Sequence, residues 1–308
     1  MKSDFFIGDE WLFYKIYCGY KSADTVLNEA IKPALEELIS KGKIDKWFFI
    51  RYGDPDLHLR VRFHYAEKIA VGDIINCMNI ALTNFVHSGI VSKVIIDVYE
   101  REISRYGENT IEISESIFGI DSSMILNLVS FMSDKGDMSE HIRWKFGLRA
   151  IDRLLSDFGL SLDEKIETII KFRDGFNTEF GVEKYLKKQL NDNYRDVRKD
   201  IEDLMRDDSG YEYTHVFNNL LDFKSNAAKP LISELLNPQS EQALKIDKTG
   251  YIASLSHMML NRLFRSNQRA QEMVLYNYLW KYYDSVKARM KAKVQIKNQE
   301  ENKVVTTA

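Results

Sequence analysis

The stretch that decides the fold is Trp47-Phe48-Phe49-Ile50-Arg51-Tyr52-Gly53-Asp54-Pro55-Asp56-Leu57-His58-Leu59-Arg60-Val61-Arg62-Phe63. Trp47 to Tyr52 is aromatic and β-propense, Gly53-Asp54-Pro55-Asp56 is a turn sequence, and His58 to Phe63 alternates polar with apolar. Together they read as a β-hairpin. The alternation puts His58, Arg60 and Arg62 on one face and Leu59, Val61 and Phe63 on the core face. Two guanidinium groups then stand roughly 7 Å apart, a spacing suited to one carboxylate or two anionic oxygens. The alternative is a solvated strand face.

Upstream of the hairpin, Trp11 to Cys18 reads as a strand. Asp24 reads as the N-cap of a helix through about Ser40, with Pro33 its weak point and Gly42 its stop. Downstream, residues 67 to 86 read as an amphipathic helix ending near Gly89, and Lys93 to Tyr99 as the fourth strand. The order strand-helix-strand-strand-helix-strand predicts a ferredoxin-like βαββαβ unit, with the third strand beside the first and the first beside the fourth.

After Gly107 the periodicity turns helical, with candidate helices near 112–133, 138–158, 161–180, 182–207, 212–235, 246–265 and 267–286. The fold class is therefore α+β. A sheet-containing portion 1–107 precedes a helical portion 108–286 that completes the same functional unit. From Lys287 to residue 308 the chain is polar without a sustained apolar stripe, which predicts a disordered tail. Tyr276, Tyr278, Trp280, Tyr282 and Tyr283 form an aromatic stripe, expected mainly to be buried among the helices.

The 308 residues are 44% hydrophobic, enough for a sizeable core, and the net charge of -3 provides no global positive field for a polyanion. Nucleic acid is not an expected direct partner. The start lacks a signal-peptide pattern and no apolar run of membrane-spanning length occurs. The two cysteines, Cys18 and Cys77, fit a reducing compartment, so the cytoplasm is expected. The histidines and cysteines lack metal-ligand spacing, and there is no P-loop, G-x-G-x-x-G or G-x-S-x-G. No metal, cofactor or hydrolytic triad is expected.

Two further stretches carry charge that could do chemistry. In Tyr99-Glu100-Arg101-Glu102-Ile103-Ser104-Arg105-Tyr106-Gly107, Glu102 and Arg105 are three apart and share a side of a helical turn; an ordinary surface ion pair is the alternative. In Ser256-His257-Met258-Met259-Leu260-Asn261-Arg262-Leu263-Phe264, His257 shares a helical face with Asn261, and Met258 with Arg262. A histidine has the right pKa for proton transfer near neutrality if it reaches a cleft, but is otherwise a packing residue.

Taken together, the blocks at 11–17, 47–63, 99–107 and 256–263 resemble the family of lantibiotic dehydratase C-terminal domains and thiopeptide-type bacteriocin biosynthesis proteins, in its stand-alone form. The resemblance spans residues 11 to about 286. It implies a lyase that expels glutamate from glutamylated serine or threonine of a ribosomally made precursor peptide, leaving dehydroalanine or dehydrobutyrine. It also implies a separate glutamyl-tRNA-dependent glutamylating partner; a cyclase is a further candidate partner. By motif position, Arg60, Arg62 and Arg105 would hold the glutamyl carboxylate and developing negative charge, His257 would be the acid/base, and Glu102 would bind the glutamyl ammonium or orient Arg105. Whether His257 takes the Cα proton or protonates the leaving group stays open. Competing readings are a pyridine synthase, joining two dehydroalanines by a formal [4+2] cycloaddition, and a non-catalytic peptide-binding scaffold.

Overall fold

The computed structural model describes residues 2–67, 70–206 and 210–306, with the side chains of 296–306 left aside. Lys68 and Ile69 of the helix expected from residue 67, Asp207 at the end of the helix expected over 182–207, and Thr307 and Ala308 of the expected tail lie outside the described residues.

The chain opens with β1 (Asp4–Phe5) and β2 (Trp11–Cys18), followed by α1 (Ser22–Val26), a π-helical stretch (Leu27–Ile31) and α2 (Lys32–Ser40). β3 (Lys46–Tyr52) and β4 (His58–His64) form the expected hairpin, and α3 (Ala70–His87), β5 (Val91–Asp97) and β6 (Tyr99–Glu100) follow. Strands β3-β4-β2-β5 make one antiparallel sheet, so the third main strand does lie beside the first and the first beside the fourth. The second half is helical: α4 (Ile103–Tyr106), α5 (Ile111–Met132), α6 (Met138–Asp157), α7 (Leu162–Glu179), α8 (Lys184–Leu204), α9 (Thr214–Leu236), α10 (Lys248–Leu263) and α11 (Gln268–Thr306). Among the described residues no helix is long and apolar enough to cross a membrane.

Three expectations are corrected. Asp24 is not a cap, because the N-cap position is Lys21; the Asp24 carboxylate is instead taken by the buried guanidiniums of Arg51, at 2.6 Å, and Arg143. The fourth strand ends at Asp97, whose side chain accepts from the Val98 N–H at 2.8 Å and pairs with Lys15, turning the chain out of the sheet. Tyr99 and Glu100 then pair with Phe5 and Asp4 in a small second sheet. Pro33 does not break its helix, because it falls in the first turn of α2, directly after the π-helical stretch. The helical backbone of α11 runs past Lys287, with Lys287–Asp163 at 2.6 Å and Arg289–Glu202 at 2.8 Å.

Chain contacts group the protein into two compact units, one of Met1–Gly147 with His215–Gln268 and the other of Leu148–Thr214 with Arg269–Ala308. In the second unit, α7 starts with a Ser161–Glu164 capping box, and Tyr276, Tyr278 and Tyr283 of the aromatic stripe are buried. Tyr276 meets Phe172 and Phe176 edge-on there.

In the first unit, the outer edge of β3 would expose unpaired backbone groups, and helices α5 and α10 cap it with side chains. The Phe49 N–H donates to Ser122 Oγ at 3.1 Å, and the Phe49 carbonyl accepts from Arg262 Nε at 2.8 Å. The Arg51 N–H donates to Asn261 Oδ1, while Asn261 Nδ2 donates back to the Arg51 carbonyl, both at 2.9 Å. The Asn261 amide thus replaces a neighbouring strand's peptide. Gly119 lets α5 approach: a Cβ there would lie 2.8 Å from the Trp47 carbonyl oxygen.

Candidate active site

Strand register arranges the sheet face bearing the two arginines as three rows. The first runs Phe48, Arg62, Phe13, Asp97; the second Ile50, Arg60, Lys15, Ile95; the third Tyr52, His58, Tyr17, Lys93. Period-two alternation alone places Arg62, Arg60 and His58 in successive rows.

Arg62 lies in an aromatic cage. Its guanidinium carbon sits 4.3 Å from the Phe13 ring centre, 4.8 Å from Tyr99 and 5.0 Å from Phe48. The side chain is buried, and its Nε and Nη1 have no hydrogen-bond partner among the described residues. Burial pushes its pKa down to about 10, so it stays charged at neutral pH. A buried cation with two unsatisfied donors needs an anion, and the fork of Arg fits a carboxylate.

The narrow cleft at Arg62 is closed by Tyr99, Glu102, Tyr106, Phe118, Met258 and Arg262. Glu115 holds this wall in place: its Oε1 accepts from the Tyr99 hydroxyl at 2.8 Å, and Arg101 grips the same carboxylate with two bonds of 2.7 and 2.8 Å. Burial and the Glu115 charge push the Tyr99 hydroxyl well above the usual range, leaving it neutral. Arg262 is fully buried behind the cleft, with Asp121 3.9 Å away as counter-ion.

The structure brings only some of the expected residues onto one wall. Arg62 and Glu102 line the cleft. Arg105 joins through a 2.9 Å ion pair with Glu102, and both side chains are solvent-accessible. Arg60, one row away, stacks over Tyr52 with its guanidinium carbon 3.4 Å from the ring centre, and its Nε donates to His58 Nε2 at 3.0 Å. His58 Nδ1 donates to the Asp56 carbonyl at 2.7 Å, and burial lowers the histidine's pKa, so His58 is a neutral acceptor for Arg60.

His257 is not on that wall. Met258 and Arg262 turn one face of α10 to the cleft, whereas His257 and Asn261 occupy the adjacent face, where Gln268 Nε2 meets His257 Nδ1 at 3.1 Å. Sequence reasoning assigned no role to Tyr99, Tyr106, Arg262 or Glu115. The first three stood inside the quoted motifs, and their burial was the missing signal. A cavity of about 450 Å³ between α3 and strands β2 and β5 has no Asp, Glu, Lys or Arg in its lining. Among the described residues, no group of three or more His, Cys, Asp or Glu could hold a metal ion.

Residues 11–283 match the profile of the lantibiotic biosynthesis dehydratase C-terminal family, and the chain belongs to that family. It is similar to the subtilin biosynthesis protein SpaB of Bacillus subtilis, 24% identical over 273 residues that make up 87% of this chain and 25% of SpaB. It is also 32% identical over 130 residues to the nisin biosynthesis protein NisB of Lactococcus lactis subsp. lactis, covering 41% of this chain and 12% of NisB. The chain thus spans a quarter or less of the curated relatives it matches.

Solved structures with the same fold include the tRNA-dependent lantibiotic dehydratase MibB from Microbispora sp. 107891 (TM-score 0.68, 19% identity, 94% of this chain and 29% of that one). TsrL (0.64, 11%, 90% and 95%) and TbtD, a pyridine synthase from thiomuracin biosynthesis (0.63, 10%, 92% and 99%), share it as well.

Proposed function

We propose that this protein is a lyase that eliminates glutamate from glutamylated serine or threonine residues of a ribosomally made precursor peptide. The observation that carries the reading is Arg62, a buried, ring-caged guanidinium with two unpartnered N–H donors on a cleft wall shared with Glu102. In the elimination, a base removes the Cα proton, its electron pair forms the Cα–Cβ double bond, and the Cβ–O bond breaks toward the departing glutamate. Negative charge grows on the departing carboxylate and on the adjacent peptide carbonyl. Arg62 would meet the carboxylate with its fork, and Arg60 and Arg105 would supply further positive charge. Glu102 would receive the glutamyl ammonium, and His257 would serve proton transfer. The glutamyl ester would be made by a separate partner using glutamyl-tRNA.

One observation favours a second reading, a formal [4+2] cycloaddition: this chain matches 99% of the length of the pyridine synthase TbtD. That reaction expels no carboxylate and leaves the Arg62 donors without an assigned task. The test is to give the purified protein, in parallel, a peptide bearing glutamyl esters and a peptide rich in dehydroalanine, and to follow both by mass spectrometry. Loss of glutamate from the first with the second unchanged is expected; cyclisation of the second, or no change in either, would overturn the proposal.

A further inference from the structure

We propose that Arg262 is a further catalytic residue, the second guanidinium of a clamp that it forms with Arg62 around the carboxylate expelled in the elimination. The inference rests on that proposed reaction and gives a part in it to a residue that had none.

Arg262 follows Met258 by one helical turn, so the two share a side of α10, and both line the cleft. Its backbone carbonyl accepts from Arg51 Nε at 2.9 Å, and its own Nε donates to the Phe49 carbonyl at 2.8 Å. These bonds tie Arg262 to the edge of β3 and leave its terminal nitrogens over. Nη1 and Nη2 are buried and have no hydrogen-bond partner among the described residues. Asp121, 3.9 Å from Nη1, offsets the charge from beyond hydrogen-bond distance. Capping a strand edge needs one donor, which Nε supplies, so that structural task does not account for the other two nitrogens.

Arg62 is in the same condition on β4, with Nε and Nη1 unpartnered. The two guanidiniums flank one pair of rings. The Arg62 guanidinium carbon lies 5.0 Å from Phe48 and that of Arg262 5.3 Å from Phe118, and the two rings meet edge-on at 5.4 Å. Burial lowers the Arg62 pKa, and the charges of Arg60 and Arg262 lower it further. Like charges buried in one cleft are stabilised by an anion that both can reach. Of the carboxylates lining the cleft, Glu102 is paired with Arg105 and Glu100 is exposed. The free volume is about 30 Å³, room for about two water-sized atoms, and so for the two oxygens of one carboxylate.

The donor set favours the expelled carboxylate over the ester. The unpartnered Nε and Nη1 of Arg62 and Nη1 and Nη2 of Arg262 match the roughly four lone-pair sites of a carboxylate. An ester offers mainly its carbonyl oxygen, because the oxygen bonded to Cβ is a poor acceptor. As the base takes the Cα proton, the Cβ–O electron pair moves onto that second oxygen, and the clamp gains its remaining bonds. The stabilisation grows with bond breaking, so it lowers the barrier without tightening substrate binding.

The test pairs kinetics with carboxylate binding on the full chain. Arg262→Lys keeps a positive charge for Asp121 and a donor for the Phe49 carbonyl but lacks the fork. It should melt close to the wild type and, with a glutamylated peptide, lower kcat about 10²- to 10³-fold while KM changes little. Wild-type kcat in this variant would overturn the proposal.

A second measurement does not depend on how any variant folds. Acetate is titrated at constant ionic strength into wild-type protein labelled with ¹⁵N-arginine, and the side-chain signals are followed by NMR. Those of Arg62 and Arg262 should move together along one saturating curve; movement of Arg62 alone, or of neither, would overturn the clamp. If the wild type eliminates nothing from any glutamylated peptide, the proposed function and the catalytic part of Arg262 fall together. The acetate titration then still decides whether the two arginines hold one carboxylate.

Discussion

Replacing Arg62 with methionine should make the protein more stable and inactive at once. The depression of the Arg62 pKa to about 10 by burial corresponds to about 3 kcal/mol of disfavoured charge. Contacts with the three rings return about 1 to 2 kcal/mol of that. Methionine has a similar length, packs on aromatic rings and leaves no charge behind. Because Arg62 Nε and Nη1 donate to no described group, the substitution strands no acceptor there. The net gain is about 1 to 2 kcal/mol, which raises Tm by roughly 2–8 °C for a unit of this size.

The same substitution removes two charge-assisted hydrogen bonds to the substrate, each worth about 1.5–3 kcal/mol, so kcat/KM should fall about 10² to 10⁴-fold. Scanning calorimetry and a mass-spectrometric elimination assay on one preparation give both numbers. A fall in Tm accompanied by undiminished turnover would refute the reasoning, for it would make Arg62 a structural cation.

Three further substitutions test separate parts of the account. His257→Ala should leave the fold intact and cause glutamylated peptide to accumulate when the glutamylating partner is supplied, with elimination slowed about 10² to 10⁴-fold by mass spectrometry. His58→Asn keeps a donor for the Asp56 carbonyl but loses the acceptor for Arg60, whereas His58→Gln keeps an acceptor; Asn should raise KM about tenfold and Gln much less, measured by steady-state kinetics. Asp24 is disfavoured as a carboxylate by burial, but Arg51 and Arg143 outweigh this and hold its pKa below the usual range. Its contribution to stability is therefore full above the unfolded-state pKa of about 4 and is lost as pH falls through the lower folded value. Asp24→Asn should cost about 3 kcal/mol at neutral pH and flatten the acid limb of a denaturation series.

The hairpin was legible because its signals are local: alternation in His58-Leu59-Arg60-Val61-Arg62-Phe63 and the turn before it need no tertiary information. The adjacency of the main strands followed from the order of elements. Asp24 misled because its chemistry is that of a cap, while its partners Arg51 and Arg143 lie far along the chain. The small sheet of β1 and β6 was invisible because two-residue strands carry no periodicity. At the site, strand alternation put Arg62 and Arg60 on one face, but could not show that Arg62 would be caged and Arg60 stacked on Tyr52. Helical spacing grouped His257 with Asn261 and Met258 with Arg262. That only the second pair faces the cleft depends on Asn261 binding the edge of β3, a contact across 210 residues of sequence.

The central claim is tested most directly with a peptide whose glutamylated serine carries deuterium at Cα. Incubated with the purified protein, it should lose the deuterium, release one glutamate for each deuterium lost, and gain one dehydroalanine in its place. Release of glutamate with the deuterium retained and serine regenerated would mark ester hydrolysis, and would contradict elimination as the reaction of this site.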